Sequence, residues 1–314
     1  MSVSLFIVAL IDVSNRNALV IRFLFHNGGK IMATPLPFKQ VDVFSSAPFS
    51  GNPLAVILDA SALSDAQMQR IARWTNLSET TFVLPPTHPD ADYRVRIFTI
   101  EGELPFAGHP TLGTAHALLE AGHQPKTPGR MVQECGVGLV QIAIGRGGEL
   151  AFAAPEATLS AWQHPGIAAA LNSEAFDMQH TVTIVDMGIR WLLVPMTSAQ
   201  AVLDINPDVP RLAQLLADAG VTGLMPFGPS DDGEVAYEVR GLLVEQGALT
   251  EDPVTGSANA CLARYLAAQG MPQDYLARQG TAIQRDGRIS VRFRDDGIWI
   301  GGATLTAIDG VLTV

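Results

Sequence analysis

One plan occurs twice in this chain. Tyr93 to Gly122 (YRVRIFTIEGELPFAGHPTLGTAHALLEAG) reads as a strand, a loop closing on Gly108-His109-Pro110, and a helix apolar nearly all round. Tyr237 to Gly270 (YEVRGLLVEQGALTEDPVTGSANACLARYLAAQG) repeats that order. Tyr-x-Val-Arg opens both stretches, and Gly122 and Gly270 each stand fourteen residues after Gly108 and Gly256. A helix that is apolar on every side is a buried helix. With strands before and after it, each is enclosed by a curled sheet. The 144 residues from Tyr93 to Tyr237 also separate Val41-Asp42 from Val185-Asp186. A period of that length is too long for a solenoid and describes two similar domains facing each other. The expected fold is α+β: two pseudo-symmetric half-open β-barrel domains, each wrapped around a central helix.

At 314 residues, of which 47% are hydrophobic, about two domains are expected. The domain pattern begins after Met32, so residues 1–31 are read as an N-terminal extension outside the fold. The first domain is assigned to 32–157 and the second to 158–297, with the final strand, 298–314, able to return to the first. Residues 155–180, rich in Ala and Pro, are the candidate junction. Ser64 is expected to cap a helix whose inner face is Met68, Ile71, Ala72 and Trp74. Val132–Ile144 reads as one strand, followed by a hairpin turn at Arg146-Gly147-Gly148. Pro210–Ala219 reads as the counterpart helix of the second half.

The formal charge of −11 argues against a nucleic-acid partner, which would need a basic patch to neutralise phosphates. It does not exclude a small anion, which a helix N-terminus can hold locally. Two cysteines, Cys135 and Cys261, form no CxxC pair and no disulfide framework, which fits a reducing compartment, the cytoplasm. No run of 18 apolar residues is present, so no membrane span is expected. The first 31 residues lack a basic region before their first apolar patch and do not read as a signal peptide. Gly136-Val137-Gly138 lacks a third glycine and lies within the expected strand, so no dinucleotide is expected. His109 and His116 share a helix without a third spaced ligand, so no metal site is expected.

Chemistry is expected where the repeated helices begin. His109 is read as the N-cap of the first, with Pro110 at its first position, and Ser257 as the N-cap of the second. Each start leaves free N–H groups and a positive dipole end. Taken singly, each is an ordinary cap. Equivalent placement in two facing halves turns them toward one cleft that would grip a carboxylate. Asp252 precedes Pro253 in a short insertion relative to the first half. It is either a turn-starting Asp-Pro or a carboxylate held beside Ser257. Glu79 lies in a break in periodicity between Leu77 and Phe82. Desolvated there, it would have the raised pKa of a general acid/base; from its neighbours alone, a solvated loop charge is the weightier reading.

Four motifs carry a family resemblance: Phe49-Ser50-Gly51-Asn52-Pro53-Leu54-Ala55-Val56, Asn76-Leu77-Ser78-Glu79-Thr80, Pro105 through Ala115, and Glu251-Asp252-Pro253-Val254-Thr255-Gly256-Ser257-Ala258. In that order, from Phe38 to the C-terminus, the chain resembles the PhzF-like phenazine-biosynthesis family, whose fold is that of diaminopimelate epimerase. The resemblance implies an isomerase like the one acting on trans-2,3-dihydro-3-hydroxyanthranilate, in which a glutamate moves a proton between carbons without a cofactor. Carried over, that glutamate is Glu79. Ser78, His109, Asp252 and Ser257 would bind substrate, and Gly108 and Gly256 would offer backbone N–H groups. A small carboxylate-bearing substrate and a homodimer are implied as partners.

Where the related racemases place two cysteines, this chain has Ala107 and Thr255, which excludes two-thiol chemistry. The repeat offset sets Gly223 opposite Glu79, so the chain supplies one base. Gln284 and Asp286 stand where the family has glycine and proline, and Ile100 where proline is usual; these differences bear on substrate. The alternatives are an epimerase-like proton transfer with Asp252 as second base, and a non-catalytic ligand- or protein-binding member of the family.

Overall fold

The structure, a computed structural model, describes residues 34–314; the segment read as an N-terminal extension, 1–31, lies outside the described residues. In chain order the first half holds β1 (Pro35–Val43), β2 (Asn52–Ile57), α1 (Asp65–Thr75), β3 (Thr80–Leu84), β4 (Tyr93–Phe98), β5 (Glu103–Leu104), α2 (Gly108–Glu120), β6 (Arg130–Cys135), β7 (Gly138–Ile144) and β8 (Leu150–Ala153). The second half holds β9 (Thr158–Ala161), α3 (Ile167–Leu171), β10 (Thr183–Asp186), β11 (Arg190–Pro195), α4 (Ala199–Leu203), α5 (Val209–Ala219), β12 (Gly223–Pro229), β13 (Tyr237–Val239), β14 (Gly241–Glu245), β15 (Ala248–Asp252) and α6 (Gly256–Ala268). It ends with β16 (Tyr275–Gln279), β17 (Gly287–Arg294), β18 (Gly297–Gly302) and β19 (Thr304–Thr313).

The repeat is a repeat of topology. Strands pair as β1–β2–β3–β4–β6–β7–β8 in one half and as β10–β11–β12–β13–β16–β17–β18 in the other. The parallel steps coincide. β2–β3 is bridged by α1 and β11–β12 by α4 and α5, while β4–β6 is bridged by α2 and β13–β16 by α6. A parallel pair needs such a crossover, and here the crossover helix is the centre of each half-barrel. β8 pairs antiparallel with β18 and joins the halves into one sheet. β9 pairs with β10 and β19 with β1. Leu36–Leu312 packs as one unit.

Burial follows the apolar character of the two central helices. In α2 every residue from Gly108 to Ala115 is buried, and in α6 every residue from Gly256 to Ala263. Both belong to one core with the inner faces of the strands. A second cluster lies under α3, α4 and α5. The α5 helix starts as its sequence dictates: the Asp208 side chain accepts from Arg211 N–H, and Gly220 at φ 61° ends it.

Three expectations are corrected. On α1, Met68 and Ala72 are buried, but Trp74 is 78% exposed and Ile71 only half-buried, so the inner face is narrower than periodicity implied. Val132–Ile144 is two strands, β6 and β7, and Gly136-Val137 is the turn between them. That turn needs its glycine, since a Cβ on Gly136 would lie 2.7 Å from Pro105 Cα. The tail from Ile298 breaks at Ala303 into β18, held to β17, and β19, held to β1.

Candidate active site

The two central helices begin against each other. A Cβ on Gly108 would stand 3.0 Å from Gly256 Cα, and one on Gly256 3.1 Å from Gly108 Cα, so only glycine permits this approach. The N-caps are Ala107 and Thr255, two residues before the expected His109 and Ser257, both of which lie inside the first helical turn. His109 and Ser257 therefore do not cap; their positions put their backbone N–H groups among the free first-turn donors. Neither cap residue bonds its own helix through its side chain. Thr255 Oγ1 donates instead to Asp252 Oδ2 at 2.7 Å. Two positive helix ends thus meet with no side-chain acceptor of their own, an arrangement that an anion stabilises.

A cleft of about 550 Å³ opens beside them. Its walls include Ser78 and Glu79 before β3, Glu101 and Leu104 around β5, Trp191 on β11, Glu245 and Thr250 on the β14–β15 hairpin, and Asp252, Thr255 and Ser257. Gly108, His109 and Gly256 adjoin this lining rather than belong to it: Gly108 follows the lining residue Ala107, and Gly256 lies between Thr255 and Ser257. His109, 3% exposed, stands behind Glu79 with Nε2 3.4 Å from Glu79 Oε2. Neither atom has a hydrogen-bond partner among the described residues. The structure thus brings all seven sequence-expected site residues to one place.

Asn52 ties the halves together behind the cleft. Its Nδ2 donates to Asp252 Oδ1 at 2.8 Å and to Val254 O at 2.9 Å, and lies 3.3 Å from His109 Nδ1. The reversed amide would set Oδ1 against a carboxylate and a carbonyl, so the neighbours fix its orientation. Both amide hydrogens go to those two oxygens, and a nitrogen that cannot accept faces His109 Nδ1, so the ring hydrogen is better placed on Nε2, the nitrogen turned to Glu79. Asn52 is aimed by the turn before it, where Asp42 accepts from Ser50 N–H and Gly51 N–H. Gln279, fully buried, accepts from Thr255 N–H and donates to Asp252 O and Thr255 Oγ1.

Burial sets the charge states. Glu79, with a side chain 14% exposed, has its pKa pushed well above the usual carboxylate range by desolvation, with the Asp252 and Glu245 charges adding to it. Desolvation pushes Asp252 up to about 6, against the hydrogen bonds from Thr255 and Asn52, which lower it. Desolvation also holds His109 down to about 3, so its imidazole is neutral. A carboxyl with a raised pKa beside a neutral imidazole N–H and two helix starts can take and return a proton next to a bound anion.

The position that the repeat sets against Glu79 is Gly223, which carries no base. Gly223 pairs with Trp191 across the parallel β11–β12 ladder. A Cβ on Gly223 would meet the indole at 2.5 Å and Leu242 O at 3.0 Å. The ring occupies the space that a side chain at position 223 would need. Its Nε1 donates to Ser257 Oγ at 3.2 Å.

Sequence reasoning missed Trp191, Glu245, Glu101 and Gln279 as part of the site, and it had Asn52 only as a motif letter. Trp191 reads as a strand residue, and nothing local marks it. Only a short insertion at Asp252 was legible; it belongs to the β14–β15 hairpin, whose turn, Gln246-Gly247 with both φ positive, carries Glu245 and Thr250 to the cleft. A larger groove of about 860 Å³ crosses the outer face of β17 and β18. Its three arginines are already matched, Arg292 and Arg294 with Asp274 and Arg288 with Asp286.

Comparison with known proteins follows the same lines. The phenazine biosynthesis-like protein family matches residues 41–310, and the chain belongs to that family. It is 35% identical over 292 residues to antisense-enhancing sequence 1 of Schizosaccharomyces pombe, covering 87% of this chain and 97% of the relative. To the trans-2,3-dihydro-3-hydroxyanthranilate isomerase of Pseudomonas aeruginosa it is 35% identical over 259 residues, 80% of this chain and 88% of the relative. The fold matches a PhzF-family phenazine biosynthesis protein of Bacillus anthracis with a TM-score of 0.79 at 24% identity, covering 90% of this chain and all of that one. Among the described residues, no helix is long and apolar enough to cross a membrane.

Proposed function

We propose that this isomerase moves a proton within a small unsaturated carboxylate, a reading supported by its likeness to the trans-2,3-dihydro-3-hydroxyanthranilate isomerase of Pseudomonas aeruginosa. The substrate carboxylate sits at the start of α2 and α6, on N–H groups of Gly108, His109, Gly256 and Ser257. Glu79, ionised, takes a proton from carbon. The electron pair of the broken C–H bond moves into the conjugated system and onto the carboxylate oxygens, where the helix ends stabilise it. Glu79, now a carboxylic acid, returns the proton to a different carbon and is again ionised. His109, neutral, stands behind the carboxyl with Nε2 3.4 Å from Oε2 and helps to exclude water from it. Asp252 and Ser78 contact polar groups of the substrate. The proton and the double bonds change place with no net oxidation or reduction, and the step requires no cofactor.

The observation that carries this reading is the meeting of two helix starts without side-chain caps beside a desolvated carboxyl. The test is incubation with trans-2,3-dihydro-3-hydroxyanthranilate in deuterium oxide, followed by NMR. The expected product has its double bond shifted, with the wild type active and Glu79→Gln inactive. Equal turnover by Glu79→Gln, or none by the wild type, overturns it.

A second reading rests on Asp252, whose pKa is also raised and whose carboxylate faces the same cleft. There Asp252 acts as a second base in an epimerisation, and deuterium entering at one carbon with inversion would favour it. Binding of a small carboxylate in a calorimeter without turnover would favour a non-catalytic member of the family. The same proposal divides the chain at 32–157 and 158–297, supported by the β8–β18 and β1–β19 pairings. It also extends to a cytoplasmic homodimer, which sedimentation would test.

A further inference from the structure

Trp191 is 2% exposed, yet its ring reaches the cleft wall and its Nε1 lies 3.2 Å from Ser257 Oγ. An indole nitrogen only donates, so Ser257 Oγ is the acceptor in this bond. One lone pair of the hydroxyl is therefore committed, and its own hydrogen must turn away from the indole N–H. Among the hydrogen bonds of the described residues, this hydroxyl takes part as an acceptor, from Trp191. Ser257 is 8% exposed and lines the cleft, so a nearly buried hydroxyl donor is left directed at whatever fills it.

We propose that Trp191 is a positioning residue of this cleft: by donating to Ser257 Oγ it orients the serine hydroxyl as a donor to an anionic oxygen of the ligand. The reading rests on the carboxylate site proposed above and adds a donor that the helix backbone does not supply. The same ring fixes the polarity of the site between the halves. It closes the Gly223 position to any side chain, so the second half contributes a donor where the first contributes a base. The tryptophan's two edges thus act on different residues, its six-membered ring on Gly223 and its N–H on Ser257.

A double-mutant cycle tests this. Trp191→Phe keeps a ring against Gly223 and removes the N–H; Ser257→Ala removes the hydroxyl. The probes are trans-2,3-dihydro-3-hydroxyanthranilate for turnover and benzoate, a bare carboxylate, for calorimetric affinity. Removing a hydrogen bond to a charged group is expected to weaken binding about tenfold to a hundredfold. Ser257→Ala should therefore raise KM and the benzoate Kd by that factor, with kcat within about twofold. Trp191→Phe should raise both by a smaller factor, and the double variant should be no worse than Ser257→Ala. Additive losses, or a fall in kcat with KM unchanged, would overturn the proposal.

Benzoate separates the two claims. A non-additive cycle on benzoate with no turnover of the dihydroanthranilate supports the positioning role and sinks the isomerase reading, whereas failure of the wild type to bind either probe sinks both. Should Trp191→Phe fold poorly, the bond is read without it. The Trp191 indole N–H should exchange with solvent more slowly in the wild type than in Ser257→Ala, and equal exchange rates overturn the proposal.

Discussion

Glu79 and Gly223 stand at the same place in the two halves, each at the entry of a strand, β3 or β12, that runs parallel to its neighbour. Around them the topology is the same and the helices begin alike. Yet one position carries a buried carboxyl, and the other is sealed by Trp191. The same contrast recurs within the first turn of the helices. His109 faces Glu79, and Ser257, its counterpart in α6, faces Trp191 instead. On the proposed reading, a symmetric scaffold holds an anion with both halves and assigns proton transfer to one. Racemisation needs bases on two faces of a carbon; isomerisation by a returning proton needs one.

The largest expected effect breaks the contrast from the catalytic side. Glu79→Gln keeps the shape of the side chain and removes its basicity, and a fall in kcat of about 10²- to 10⁴-fold is expected from loss of the acid/base. The rate of solvent deuterium entry into substrate checks it. A loss under threefold would mean that Asp252, or another group, does the work.

From the other side, Gly223→Ala is expected to destabilise by about 1–3 kcal/mol, because its Cβ would overlap the Trp191 ring. Denaturant unfolding measures this. Combining it with Trp191→Leu should recover part of the loss, since the smaller side chain frees that space. If the double variant is as unstable as the sum of the singles, the two positions are not coupled as the structure indicates. Carrying Gly223→Glu on the same background would ask whether a second carboxyl can be accepted at all.

How much of this was readable beforehand depends on the kind of signal. The two central helices announce themselves because a helix apolar on all sides has few places to go, and the spacing of Asp42 and Asp186 carries the repeat. The helix starts were placed two residues late. Pro110 and Ser257 look like first-turn and cap residues, whereas the chain bends into the helix at Ala107 and Thr255, where the glycines must touch. Thr255 resembles a cap by residue type, but its hydroxyl is engaged by Asp252 and Gln279. Glu79 looked like a solvated loop charge because what buries it comes from elsewhere in the chain. Trp191 was invisible for the same reason: its partners are 32 and 66 residues away, Gly223 and Ser257.

Acid–base linkage gives an effect of intermediate size. Burial raises the folded-state pKa of Glu79 above its unfolded value near 4.5. Between those two values the folded state binds more protons, so this group's contribution to stability is fully present below the unfolded pKa and is lost as pH rises through the folded one. Glutamine cannot ionise and escapes that loss. Glu79→Gln should therefore melt above the wild type at pH 8 by a few degrees, with the difference vanishing below pH 4. His109 acts in the opposite sense. Its pKa falls from 6.5 to about 3, so its contribution is lost as pH drops through that window. A Glu79→Gln Tm difference that is flat with pH would contradict the burial of this carboxyl.

The smallest effect is the one periodicity would have made large. Trp74 lies on the face of α1 expected to turn inward, and a buried tryptophan replaced by a charge would cost several kcal/mol. The helix is instead anchored by Met68 and Ala72, together with polar arms: Gln69 donates to Thr99 O and Arg73 to Ile100 O, holding the loop that brings Glu101 to the cleft. Trp74 at 78% exposure takes no part in that brace. Trp74→Glu is therefore expected to change stability by less than about 0.5 kcal/mol and to leave turnover unchanged. Arg73→Ala, one residue away, should loosen the 99–102 loop and raise KM without altering the fold. A penalty at Trp74 larger than that at Arg73 would mean that α1 turns a different face to the sheet.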